Sequence, residues 1–110
     1  MAIPSDNELA LLHDHICQAL SDPRRIQIMY ALNESRRHVS AIADALGIPQ
    51  PAVSRHLAVL RQRGLVSAGR EGAAVFYYLA DPHIIQILDM MRQLLRDTMD
   101  RQAGSLVSQE

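Results

Sequence analysis

Gln50, Ser54, Arg55 and Arg61 are hydrogen-bonding side chains set among apolar residues, Val53, Leu57 and Leu60, that recur at helical spacing. With those three buried, Gln50, Ser54 and Arg61 are read on the opposite side of one helix, with Arg55 beside them. The chemistry such a face offers is recognition. Glutamine can pair with an adenine edge and arginine with a guanine edge, while serine serves a base or a phosphate. A merely solvated helix face would carry the same residue types, so context must decide. His56 borders the apolar side, three residues from Val53 and four from Leu60. A packing role and a phosphate contact both stay open for it. Catalysis has no comparable foothold: no nucleophile–base pair, glycine-rich phosphate loop or paired carboxylates occur in a recognisable setting. The chain is read as a non-enzyme that needs no cofactor.

The charges supply the context. The 110 residues carry a net charge of only −1, but the charges are sorted along the chain. Residues 1–23 hold Asp6, Glu8, Asp14 and Asp22 and no basic residue. Residues 24–70 hold Arg24, Arg25, Arg36, Arg37, Arg55, Arg61, Arg63 and Arg70 against Glu34 and Asp44. Residues 71–110 are again acidic. A basic middle between acidic ends suits a surface that faces phosphates. Arg24 and Arg25 open a helix, where positive charge opposes the dipole, so a phosphate or a nearby acid is expected as partner. Arg36 and Arg37 are read either as backbone-phosphate contacts or as solvated residues.

Two other groups could do chemistry. His13 and Cys17 lie four residues apart on one helical face and could contribute two metal ligands or a thiol sensor. Equally, Cys17, the only cysteine, is read as a small core residue near a dimer seam. His15 and His38 have no recognisable partners. No apolar run approaches the roughly 18 residues of a membrane span, and the N-terminus is acidic where a signal peptide is basic. A cytoplasmic protein is expected.

The elements that must position these residues follow from periodicity. Leu9, Leu12, Ile16 and Leu20 predict a helix over 6–20, and Asp22-Pro23 cap and open a second with Ile26, Met29 and Leu32 inward. Ser40 is expected to cap a short helix over 41–46 that Gly47 ends, and a longer helix runs from about Gln50 to Arg63. Two short helices joined by a tight turn make a helix-turn-helix. The period then changes: residues 65–68 and 74–79 read as strands around a tip at Gly69-Arg70-Glu71-Gly72. Ile84, Leu88, Met91 and Leu95, widened by Ile87, Leu94 and Met99, form the stripe of a last helix. That stripe is too long for so small a domain and calls for a partner. The expected fold is mainly α with a small β-hairpin, a winged helix-turn-helix dimerised through the first and last helices. Leu9, Leu12, Ile16, Ile84, Leu88, Met91 and Leu95 form the seam. One domain covers 1–102 and a flexible tail 103–110.

In this order the segments resemble the ArsR/SmtB family of bacterial winged-helix repressors. The resemblance is carried by Ala19 to Ile26, by Ile42 to Gly47 with Gln50 to Leu60, and by Gly64-Leu65-Val66, Arg70 to Gly72 and Phe76 to Leu79. It implies a homodimer on double-stranded operator DNA, repression, and room for a small inducer. It also implies that the helix from Gln50 enters the major groove while the wing, through Arg70, touches the adjacent backbone or minor groove. The family often carries a second basic residue where this chain has Ala73. Family members often bind metal. The cysteine pair of one family site has no counterpart in residues 41–46. At another, shared between two copies, Asp81 and His83 match one copy's half of the ligand set and Asp97 of the second copy could add a third, but Leu94 occupies the remaining place. No metal is therefore expected. The competing class is a winged helix that binds another protein without reading DNA.

Overall fold

The computed structural model describes residues 1–108, with side chains through residue 104. Helix α1 (Asp6–Leu12) passes into a π turn (His13–Cys17) and a 3-10 turn (Ala19–Ser21), followed by α2 (Pro23–Glu34), α3 (Val39–Leu46) and α4 (Gln50–Gln62). Strands β1 (Val66–Glu71) and β2 (Ala74–Leu79) pair antiparallel, and α5 (His83–Ser108) ends the chain. The architecture is the expected one: five helices and a two-stranded wing. No helix among the described residues is long and apolar enough to cross a membrane.

The core explains the order. Ile28, Met29, Ile42, Val53, Leu57 and Leu60 are wholly enclosed, with Leu65, Val66, Leu79, Ile84, Ile85 and Leu88 closing the cluster. On α2, Ile28 is buried while Ile26 only packs against the rim. Asp22 caps α2 by accepting the Arg24 N–H at 2.8 Å, with Pro23 at the first helical position. Gly47 closes α3 at φ 66°, the left-handed conformation that lets the following N–H, of Ile48, reach back to the Ala43 carbonyl at 3.2 Å and turns the chain toward α4.

Four expectations change. The first helix is not continuous: the Gln18 N–H bonds the His13 carbonyl five residues back, and this widened turn separates α1 from the 3-10 turn. Ser40 does not cap α3, which begins at Val39 with His38 in the cap position. That imidazole is engaged elsewhere, 2.7 Å from the Val75 carbonyl of the wing. The hairpin is longer than expected. Glu71 pairs with Ala74, so the tip is Gly72-Ala73, Gly72 supplies the positive φ of a tight hairpin, and Arg70 lies within β1 opposite Val75. Finally, α5 continues to Ser108, so residues 103–108 are helical rather than a tail; the last two residues of the expected tail lie outside the described residues.

The molecule is long and narrow, 62 × 36 × 21 Å, because α5 projects beyond the body. Its root is tied down. The Tyr30 hydroxyl donates to Asp89 Oδ1 at 2.6 Å, and Arg92 bonds the same carboxylate at 3.3 Å with its guanidinium 5.3 Å from the Tyr30 ring centre. Burial and the bond to Asp89 push the Tyr30 phenol above its ordinary range.

Leu57→Ala empties the centre of the core and is expected to lower unfolding stability by about 2–5 kcal/mol in chemical denaturation. A loss under about 1 kcal/mol would show that α4 is not anchored through this residue.

Candidate nucleic-acid interface

Helix α4 owes its orientation to Val53, Leu57 and Leu60, which are at most 1% exposed. At about 100° per residue, Arg55 and Gln62 point most directly away from them, with Ala58 on the same outer strip. Gln50, Ser54 and Arg61 form a row on one flank rather than the far side. All of these residues are exposed. The sequence reading missed Ala58 and Gln62. The signal was available in the helical period, because residues three, four and seven apart share a strip.

The flank carrying Arg61 faces the wing. Arg61, Ala68, Gly69, Arg70, Val75 and Tyr77 line one recess between α4 and the hairpin. Strand alternation puts Val66, Ala68 and Arg70 on the same side of β1, and their partners Leu79, Tyr77 and Val75 continue that side on β2. The recess therefore gathers Arg70 of the wing and Arg61 of the helix. Among the described residues, neither they nor Gln50, Ser54 and Arg55 have a side-chain partner. The start of α4 lacks a side-chain cap, since Pro49 holds that position. Pro51 has no N–H and the Ala52 and Val53 N–H groups bond the Pro49 carbonyl at 3.0 and 3.2 Å, so the free surface here is made by side chains rather than by the helix start.

His56 belongs to the other flank. Its side chain is 18% exposed and its Nε2 stands 4.0 Å from Asp22 Oδ2, against the cap of α2. Its candidacy as a DNA contact gives way to packing, because the ring is turned toward α2.

Several arginines of the basic middle are already engaged. Arg25 donates through Nε to the Ala19 carbonyl at 2.8 Å and through Nη2 to the Gln18 carbonyl at 3.0 Å, closing the 3-10 turn. Arg37 donates to the Ala31 carbonyl at 3.1 Å and pairs with Glu34 at 2.8 Å, finishing α2. Neither is a free phosphate contact. Arg24 keeps only a 3.4 Å bond to Gln27.

The dimer candidates divide. Leu9, Leu12, Met91 and Leu95 are exposed, and Ile16 packs at the core's edge. Ile84 and Leu88 are buried within the protomer itself, so they are core residues and not seam residues. The exposed ridge instead continues through Ile87, Met90, Leu94 and Met99.

Within one chain the metal candidates do not converge. Asp81 and His83 bond each other at 2.7 Å, while Asp97, fourteen residues on along the axis, accepts from Gln93. Fourteen helical residues span about 21 Å, so Asp97 could meet Asp81 and His83 only from a second copy. His13 contacts its neighbour Asp14, and the Cys17 thiol is exposed on the π turn. Among the described residues no three His, Cys, Asp or Glu side chains come close enough to hold an ion.

A helix-turn-helix with an exposed second helix, a two-stranded wing beside it and two unpaired arginines between them defines a winged helix-turn-helix protein. The arsR family model of bacterial regulatory proteins matches residues 22–68. The HTH-type transcriptional repressor SmtB of Mycobacterium tuberculosis is 41% identical over 85 residues, covering 77% of this chain and 63% of SmtB. The HTH-type transcriptional regulator NmtR of the same organism is 40% identical over 86 residues, 78% of this chain and 72% of NmtR. Among solved structures, a homodimeric winged helix-turn-helix DNA-binding domain from Mycobacterium bovis, titled a possible ArsR-family transcriptional regulator, superposes with a TM-score of 0.74. It is 32% identical and the match covers 92% of this chain and 95% of that one. The chain belongs to the arsR family of bacterial regulatory proteins, a family of transcriptional regulators and not of enzymes.

At the start of α5, Asp81 accepts the His83 backbone N–H at 2.9 Å. That bond, with the His83 ring, holds its carboxyl below the ordinary 3.8. A depressed carboxylate favours the folded state at neutral pH, and the contribution is lost as pH falls through the folded-state value. An NMR acid titration should give an Asp81 midpoint below 3.8, and Asp81→Asn should abolish the matching shift of the His83 amide. A midpoint at the ordinary value would remove this cap.

Proposed function

We propose that this chain is a homodimeric, cytoplasmic transcription regulator, most simply a repressor, that reads double-stranded operator DNA with α4 and leaves it on an unidentified signal. The observation that carries the reading is the set of exposed, unpartnered side chains on α4 and the wing. Gln50, Ser54 and Arg55 near the start of α4 would meet base edges, and Arg61 with Arg70 would take backbone phosphates on the wing side. Exposed arginines with no partner in their own chain can exchange hydration water for phosphate oxygens or base edges.

Self-association is supported by shape. A compact chain of this length has a radius of gyration of about 13 Å, against 17.4 Å here. The excess lies in α5, whose ridge of Ile87, Met90, Met91, Leu94, Leu95 and Met99 is exposed in the single chain. Such a ridge favours a second copy, with Leu9 and Leu12 of α1 adding to the covered area. A two-fold pair would present two α4 helices to half-sites about one helical turn apart. The relative from Mycobacterium bovis is itself homodimeric. The alternative, a protein-interaction module, gains nothing from an exposed recognition helix with free arginines.

Binding to a fragment of the protein's own promoter region, measured across salt concentrations, tests the reading. Arg55→Ala should weaken specific binding by about 1–3 kcal/mol and relax the preference at one base pair, whereas Arg70→Ala should weaken all sequences alike and lower the salt slope by about 1. Equal affinity for every sequence, in the wild type, would end the sequence-specific reading. Separately, Leu94→Glu should convert a dimer to monomer in sedimentation at micromolar concentration without lowering helical content. An unchanged dimer would place the seam elsewhere.

A further inference from the structure

The wing has a second face, opposite Arg70, and one side chain from outside the hairpin covers it. Strand alternation puts Ser67, Gly69 and Glu71 on this face, with Phe76 and Tyr78 beside them on β2. Phe76 lies across Gly69, its cross-strand partner: a Cβ on Gly69 would stand 2.8 Å from Phe76 Cζ, so only glycine leaves the ring in place. Over the ring sits Arg36, its guanidinium carbon 4.2 Å from the ring centre, and the same guanidinium bonds Glu71 Oε2 at 3.1 Å. The segment behind Arg36 is fixed too. Arg37 and Tyr77 exchange backbone hydrogen bonds at 3.0 and 2.8 Å, and the His38 ring bonds the Val75 carbonyl. Residues 36–38 are thus pinned to the edge of β2 by one antiparallel bridge and a side-chain bond.

Both neighbours of Arg70 are therefore held by Arg36, Glu71 directly and Gly69 through Phe76, while Arg70 itself stays unpaired on the other face. We infer that Arg36 is a positioning residue for Arg70: it sets the wing so that Arg70 reaches DNA beside Arg61, and it does not itself contact DNA. The inference rests on the DNA-binding reading above. It also gives Glu71 a task. An acid at the edge of a DNA-facing wing repels phosphate unless it has another role, and here it anchors Arg36.

The two roles make opposite predictions. Glu71→Gln removes a negative charge near the DNA, so simple electrostatics tightens binding. A brace weakens it. Losing an exposed ion pair together with a cation–π contact corresponds to about 3- to 30-fold weaker binding for Arg36→Gln, and losing the ion pair alone to about 2- to 5-fold for Glu71→Gln. Affinity for the promoter fragment is measured for wild type, Arg36→Gln, Glu71→Gln and the double variant, each with Arg70 intact and with Arg70→Ala, after thermal melts establish folding. The expected result is weaker binding by both single variants, no further loss in the double variant, and disappearance of all these effects once Arg70 is alanine. The salt slope should fall with Arg70→Ala and not further with Arg36→Gln. Tighter or unchanged binding by Glu71→Gln overturns the inference, as does an Arg36→Gln loss that persists without Arg70 and lowers the salt slope, which marks a direct phosphate contact. Absence of DNA binding by the wild type would instead defeat the proposed function, so the two failures are distinct.

Discussion

Everything at the reading surface depends on burying three side chains of one helix. Val53, Leu57 and Leu60 lie within a narrow sector of α4 and are enclosed by α2, α3 and the root of the wing. A helix is a rigid cylinder, so fixing one sector fixes all others. Arg55 cannot turn inward without pulling Leu57 out, and exposing a buried leucine costs about 1.5–3 kcal/mol. The polar face is thus held outward by the hydrophobic core. The residues on it stay free for a partner because no internal bond is needed to hold them.

The wing depends on the same core at one remove. Val66 and Leu79, paired at its base, are buried, and the hairpin becomes progressively exposed toward Gly72. A two-stranded hairpin alone is marginal in water. The backbone exchange between Arg37 and Tyr77 holds the edge of β2 by a single antiparallel bridge, and the same Arg37 closes α2 through the Ala31 carbonyl. One short connection therefore ties α2, α3 and the wing together. The total of eight arginines in the basic middle overstates the charge offered to DNA, because Arg25 and Arg37 neutralise helix ends and Arg36 is committed to Glu71 and Phe76. What remains unpaired is concentrated on α4 and on one side of β1.

The last helix follows a different constraint. Its first turns pack into the body through Ile84, Ile85 and Leu88, with the Tyr30–Asp89–Arg92 cluster at the margin. Beyond them α5 leaves the body, and its apolar ridge is largely exposed in the single chain, with Met91 and Leu95 sharing a shallow recess with Ile26 of α2. In the proposed dimer one rigid rod would carry both roles, so a change at the seam would move the root against α2. Such a rod offers a physical route from self-association to the reading surface.

Much of this was legible in the sequence. Apolar spacing alone places α2, α4 and α5, because periods of three and four report a buried sector directly. Asp22-Pro23 and Gly47 mark helix ends through capping and φ, and the switch to alternation after Gly64 announces the wing. These signals are local, and local chemistry is what a sequence carries. The structure decided the questions that involve two distant segments. Ile84 and Leu88 obey the same period as Met91 and Leu95, yet the first pair is buried by the protomer's own core and the second is not. Periodicity shows that a stripe is apolar but not what covers it. Arg37 and Arg55 are the same residue type in the same basic stretch, and only the carbonyls and carboxylates brought beside them separate a structural cation from a free one. The sequence by itself determined that Gln50 to Arg63 forms a helix with one buried side. Which polar residues on that helix face away from the core, which turn to the wing, and what holds the wing beside them came from tertiary contacts, because those contacts join residues up to 40 positions apart.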